Sequence, residues 1–278
     1  MTSKSSIRYQ HIEDFQGLVI SEASLSLLDF QPHFHLDFHI GLITNGVFRQ
    51  THKGQSMDFS QQHICFMPPG EVHDGRGVGN EPHQLTTFRV PPTLLQTALL
   101  DRYPDSLTPN IESLAPAVIH HGTLAQAFSK LSHALKPASQ ASQLYKDSLW
   151  TNVLAELFTL LGKTPKQEPQ WGLSDQQLGQ LRDYCDSHLE QKITLDELAH
   201  LTGLTRFQFI RHFQKRTGLA PHAWLLRLRL ERACTQLKDT KNSLTDIAAN
   251  VGFYDQSHFN RAFKKAYQIA PSRYRYGA

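Results

Sequence analysis

Short apolar runs punctuated by turn signals fill the first ninety residues, and longer stretches with helical spacing fill the rest. Gly17–Ile20, Phe38–Ile43, Gly46–Thr51, His63–Met67 and Leu85–Val90 are β-rich runs of strand length. Asn45-Gly46 predicts a hairpin turn, while Pro68-Pro69-Gly70 and Gly75–Asn80 predict loops. Many short strands at this spacing predict a small antiparallel barrel or sandwich. Helices are predicted over Thr93–Tyr103, Thr123–Leu135 and Ala141–Leu161. The last carries Leu144, Leu149, Val153, Leu154, Leu157, Phe158 and Leu161 as one stripe, which is either core against the sheet or a dimer seam. Gly162–Gln170 has almost nothing to bury and predicts a linker, so we expect a domain at 1–161, a linker at 162–172 and a second domain at 173–278.

The second domain says nearly the same thing twice. Leu198-Ala199-x-x-x-Gly203, a turn and a helix from Thr205 are followed by Ile247-Ala248-x-x-x-Gly252, a turn and a helix from Asp255. Anchors match at an offset of 49 through the glycines and at 50 from Phe209/Phe259 to Pro221/Pro271, so the second turn is one residue longer. Such tandem helix-turn-helix units read two stretches of major groove in double-stranded DNA. Thr194 with Glu197 and Thr205 with Gln208 have capping-box spacing, and Gly203 suits a left-handed stop.

Placed at ~100° per residue, the first reading helix buries Phe209, His212 and Phe213. Phe207, Ile210, Arg211 and Gln214 face out, with Arg206 opening the helix. In the second, Ser257, Asn260, Arg261 and Lys264 face out, flanked by Gln256 and His258, and Phe259 and Phe263 go inward. Arg suits guanine edges, Asn and Gln suit adenine edges, apolar groups meet thymine methyls, and Lys264 suits phosphate. A helix from Pro221 to about Lys238 should join the readers, about 27 Å of rod, with Arg227, Arg229 and Arg232 outside.

Charge follows the same division. From Leu173 onward 16 Lys/Arg stand against 10 Asp/Glu, net +6, and the preceding residues carry 12 against 15, net −3. Within Arg206–Arg275 the count is 14 against 4, net +10, which suits a phosphate-binding surface. Three scattered cysteines, Cys65, Cys185 and Cys234, exclude a disulfide framework and a Cys-based zinc finger. No apolar run approaches ~18 residues and the N-terminus is polar, so a soluble cytoplasmic chain with no membrane partner is expected.

Residues 173–276 resemble the AraC/XylS family of bacterial transcription regulators. The second unit places Ile247, Ala248, Gly252, Phe253, Phe259, Arg261, Phe263 and Pro271 where that signature expects them; the first matches at Ala199, Gly203, Arg211, Phe213, Gly218 and Pro221. Ile210 departs from the polar residue usual at its base-reading position. The resemblance implies an all-α seven-helix domain, recognition helices at 206–217 and 256–267, and activation through contact with RNA polymerase.

In the N-terminal half, His33, His35, Asp37 and His39 alternate along one predicted strand, and His73 follows Pro68-Pro69-Gly70-Glu71. This constellation resembles the two cupin motifs, with His39 where a Glu usually stands, and resembles the sensor domain of arabinose-type AraC regulators across roughly residues 15–90. The whole chain is then an α+β two-domain protein, a cupin-like β-barrel with flanking helices followed by the tandem reader. His33, His35, Asp37, His39 and His73 are candidate contacts to a small-molecule effector. The alternative is that His33, His35, His39 and His73 hold a divalent metal such as Zn²⁺ or Ni²⁺, in a metal-responsive regulator or a DNA-tethered cupin metalloenzyme. The favoured expectation is a non-enzymatic, effector-controlled activator that works as a homodimer and needs no cofactor.

Overall fold

The computed structural model describes residues 6–25, 29–79, 82–100, 111, 114–162, 172–238 and 241–277. It divides into two compact units, one of residues 1–31 and 35–167 with the last two residues, the other of residues 32–34 and 168–276. Among the described residues no helix is long and apolar enough to cross a membrane.

The strands run β1 (Ser6–His11), β2 (Val19–Leu25), β3 (Phe30–His33), β4 (Phe38–Asn45), β5 (Phe48–His52), β6 (Gln55–Phe59), β7 (His63–Met67), β8 (His73–Gly77), β9 (His83–Val90) and β10 (Ala117–His120). They form a six-stranded sheet, β1-β2-β9-β4-β7-β10, and a four-stranded sheet, β3-β8-β5-β6. The expected barrel is therefore two sheets that do not close into one cylinder. β4 lies between β9 and β7; Phe38, Ile40 and Leu42 are buried on one face, and the other carries His39, Gly41 and Ile43. Phe38, Ile40 and Leu42 join the core beneath the helices, and Ile43 turns the other way to meet Phe48, Phe59 and Cys65.

Two turn expectations fail. Asn45-Gly46 joins strands of different sheets and makes no hairpin. The tight hairpin is β5–β6, where His52 pairs with Gln55 across Lys53 (φ 49°) and Gly54 (φ 78°), the two positive φ values of a type I′ turn. Gly75–Gly77, expected as loop, belongs to β8. Gly75 is needed there because a Cβ would stand 2.5 Å from the Phe48 ring.

Helices α1 (Pro92–Leu100), α2 (Gly122–Ala134) and α3 (Gln143–Leu161) complete this unit. The end of the helix expected at Thr93–Tyr103, and most of the expected linker at 162–172, lie outside the described residues. Ser142 caps α3 by accepting from the Tyr145 N–H at 3.3 Å. From Leu149 onward the α3 stripe packs into the core with Phe88, Phe128 and Leu131, whereas Leu144 is 77% exposed. The core alternative holds for all of the stripe except its first residue.

The second unit carries seven helices among its described residues: α4 (Asp175–Ser187), α5 (Leu195–Leu201), α6 (Arg206–Thr217), α7 (Pro221–Leu237), α8 (Leu244–Asn250), α9 (Gln256–Tyr267) and α10 (Pro271–Tyr276). The repeat is visible in their backbone. Gly203 (φ 68°) and Gly252 (φ 79°) end α5 and α8 in the left-handed region, and Gly218 (φ 76°) and Gln268 (φ 64°) do so after α6 and α9. Leu198, Ala199, Phe209 and Phe213 are buried in one unit and Ile247, Ala248, Phe259 and Phe263 in the other. Each Phe so buried stabilises the fold by about 2–3 kcal/mol.

Of the α7 arginines expected outside, Arg227 is buried and Arg229 and Arg232 are half-buried and paired. Arg232 forms a bidentate pair with Asp186, and Arg229 donates to the Leu189 and Gln191 carbonyls. Arg227 is buried, its Nη2 3.0 Å from Glu231 Oε1 and its guanidinium 4.9 Å from the Tyr267 ring centre. Tyr267 Oη donates to the same carboxylate at 2.6 Å, fastening the last turn of α9 to α7.

Two stability measurements check these points. Glu231→Ala strands Arg227 as an uncompensated buried charge, so urea unfolding should show a loss of about 3–5 kcal/mol. Gly252→Ala should cost more than about 2 kcal/mol, because its Cβ would enter the Leu189 carbonyl at a left-handed φ. Gly179→Ala on α4, where no atom lies within 4 Å of the new Cβ, should instead gain about 0.5–1 kcal/mol.

Candidate functional site

The two reading helices are built alike. Thr205 accepts from the Gln208 N–H at 3.3 Å, and Gln208 Oε1 accepts from the Thr205 N–H at 3.1 Å, closing a capping box. In the second unit Asp255 Oδ1 accepts from the His258 N–H at 2.6 Å. Thr194 and Glu197 form the corresponding box on α5; the Thr194 N–H and hydroxyl hold the Glu197 carboxyl below its ordinary range. With N–H donors satisfied locally and phenylalanines buried, the opposite faces of α6 and α9 need no protein partner.

On α6, Arg211 and Gln214 are exposed and Ile210 is 36% exposed. The Phe207 side chain lies outside the described residues. Arg206 is exposed but not idle, since its Nε lies 3.0 Å from Asp196 Oδ1 of α5. His212, expected inside, is half-buried. On α9, Ser257, His258, Arg261 and Lys264 are exposed. Asn260 is half-buried, and Gln256 Oε1 accepts from Thr245 Oγ1 of α8 at 2.9 Å. Basic residues close both helices, Lys215 and Arg216 on α6 and Lys264 and Lys265 on α9, where they complement the carbonyl end.

The histidines come together by a route that strand alternation did not foresee. β3 ends at His33, a bend carries His35 and Asp37, and β4 starts at Phe38, so the four residues do not share one continuous strand. The bend nevertheless stacks the rings of His35 and His39 with centroids 3.5 Å apart, and His73 stands 5.4 Å from His35. His33, His35 and His73 offer ligand atoms that all lie within 4.8 Å of one another. His73 Nδ1 lies 2.9 Å from the Glu71 carbonyl. Asp37 pairs with buried Arg89 at 3.4 Å.

Glu71 is itself anchored. Burial pushes its carboxyl up, but the hydrogen bond with His52 (2.7 Å) and the charge of Lys53 outweigh it and hold the group at about 2. Cys65 plays no part in the cluster: burial pushes its thiol up to about 12, and its Sγ donates to Gln50 Oε1 at 2.8 Å.

Neither Arg89 as the partner of Asp37 nor Thr245 as the partner of Gln256 could be read from local spacing. Glu231 did leave a trace, as a carboxylate one residue past Leu230 in the apolar stripe of α7.

Comparison with known proteins agrees with both halves. Residues 15–154 match the family described as AraC-like ligand binding domain, and residues 198–276 match that described as Helix-turn-helix domain. The chain is 26% identical to the transcriptional activator RhaS of an Enterobacter species over 261 residues, 88% of each chain. It is 34% identical to the transcriptional regulator MtrA of Neisseria gonorrhoeae over 104 residues, 37% of this chain and 35% of MtrA. An apo variant of ToxT from Vibrio cholerae shares the fold with a TM-score of 0.62 at 11% identity, over 94% of this chain and 98% of that one. ToxT with a bound unsaturated fatty acid gives 0.61 at 12% identity, over 96% and 97%. These relatives are regulators rather than enzymes. With a ligand-binding module matched over half of its length and a helix-turn-helix module after it, the chain belongs to the AraC family of DNA-binding transcription regulators.

Proposed function

We propose that the chain is a cytoplasmic, sequence-specific transcription activator controlled by a small molecule held in its N-terminal unit. The observation that carries this reading is the duplicated pair of capped helices, each with its phenylalanines buried and a polar face left unpacked. The outer residues of α6 and α9 then read base edges, and Lys264 and Lys265 hold phosphates. α7, 17 residues and about 26 Å long, spaces the readers near one turn of DNA. RhaS, named an activator, supports activation rather than repression, and contact with RNA polymerase is part of the proposed reading. Exposed Leu144 and Tyr145 at the start of α3 support pairing of two chains, which would add weak sites together. Sedimentation of the full chain at tens of micromolar should show a dimer, and a monomer under all conditions removes that element.

Arg211→Ala and Arg261→Ala should each weaken binding to a selected DNA site by about 1–3 kcal/mol and relax base preference in one groove segment. Binding titrations on selected and scrambled duplexes decide it; equal losses on both would make these residues phosphate anchors.

The effector contacts we propose are His33, His35, Asp37, His39 and His73, with Asp37 paired to Arg89. A second reading, with a divalent metal as effector, is favoured by the three imidazoles whose ligand atoms lie within 4.8 Å. Neutral imidazoles suit Zn²⁺ or Ni²⁺, and the Glu71 carbonyl would orient His73 as an outer partner. Protein that carries near one equivalent of metal and melts lower in chelator supports this reading. Metal-free protein that is indifferent to chelator leaves the organic effector.

A further inference from the structure

The one-residue slip between the two units has an identifiable occupant. In the first unit Gly203 is followed by Leu204 and the cap Thr205; in the second Gly252 is followed by Phe253, Tyr254 and the cap Asp255. The Leu204 N–H donates to the Ala199 carbonyl at 3.1 Å, and the Phe253 N–H donates to the equivalent Ala248 carbonyl at 2.9 Å. Leu204 and Phe253 therefore correspond, and the inserted residue is Tyr254.

Its surroundings fix where it points. On one side Phe253 is buried, edge-on to Phe259 with centroids 5.3 Å apart, behind a glycine that admits no Cβ. On the other side Asp255 is held by its cap to His258. Between two pinned neighbours the Tyr254 side chain has only outward space, and it is 94% exposed, more than any other large apolar or aromatic side chain among the described residues. A rigidly presented phenol ring in water contributes nothing to the fold.

We propose that Tyr254 contacts the sugar–phosphate backbone at the edge of the groove read by α9, a contact that the first unit lacks. The proposal rests on the reading that α9 lies in the major groove. A recognition helix meets base edges through its N-terminal turns, so the residue just before its cap stands at the groove wall, which is deoxyribose and phosphate. A tyrosine matches that wall: the ring packs on the sugar and the hydroxyl donates to a phosphate oxygen. The contact is uncharged, so it positions the helix without releasing counterions.

The test uses the full-length protein, a duplex recovered by selection from a random pool, and a scrambled duplex of the same length. Tyr254→Ala, Tyr254→Phe and Arg261→Ala are compared by anisotropy titration over a range of salt. Tyr254→Ala is expected to weaken binding about tenfold on both duplexes, with the salt slope unchanged, and Tyr254→Phe to weaken it less. Ethylation interference should lose one phosphate signal in Tyr254→Phe. Melting temperatures should not move. Wild-type affinity of Tyr254→Ala on both duplexes overturns the proposal, and if Arg261→Ala still weakens the selected site, the groove reading survives without it. Loss on the selected duplex alone also overturns the backbone contact, in favour of base reading. Unchanged DNA binding with reduced transcription would move Tyr254 to a protein partner and sink the proposal.

Discussion

A helix that reads a groove has to keep one face and one end unpacked, and the protein must hold it in place through everything else. That constraint governs the second unit. The inward faces of α6 and α9 are phenylalanines with almost no exposure, so burial holds the inner side of each helix. Their first-turn donors are satisfied by Thr205 and Asp255 rather than by neighbouring helices. Glu231 adds a buried polar tie between α9 and the long helix α7. Its carboxylate is fully buried and shared between Arg227 and Tyr267, a geometry that tolerates little displacement. Burying such a pair costs desolvation, and a well-packed apolar substitute could match its stability. What the ionic arrangement adds is direction.

The two units are copies with different finish. Gly218 ends α6 without strain, whereas the matching residue after α9 is Gln268 at φ 64°, a conformation that costs a non-glycine residue about 1 kcal/mol. α6 offers Ile210 beside Arg211, and α9 offers Ser257, His258 and Arg261.

In the N-terminal unit the same sheet serves two purposes on its two faces. One face carries Ile20, Ile40, Phe66 and Phe88 beneath the helices and supplies stability. The other brings β4 past the bend at 34–37, where stacked imidazoles and the Asp37–Arg89 pair concentrate polar groups.

Local chemistry was legible in the sequence because it depends on neighbours within four residues. The caps, the glycine stops, the inward phenylalanines and the core stripe of α3 all follow from spacing, and spacing survives into the fold unchanged. Pairing across the chain was not legible. Asn45-Gly46 has hairpin composition, but β5 gains more by pairing with β6 and β8 than with β4, and the real type I′ turn falls at Lys53-Gly54. Arg227 sits where a solvated arginine was expected, and only the approach of Tyr267 and Glu231 makes its burial affordable. His33, His35 and His39 were placed on one strand by their alternation, yet it is a bend that brings their rings together. Periodicity fixes which way a side chain faces on its own element, and only packing between distant elements decides what it meets there.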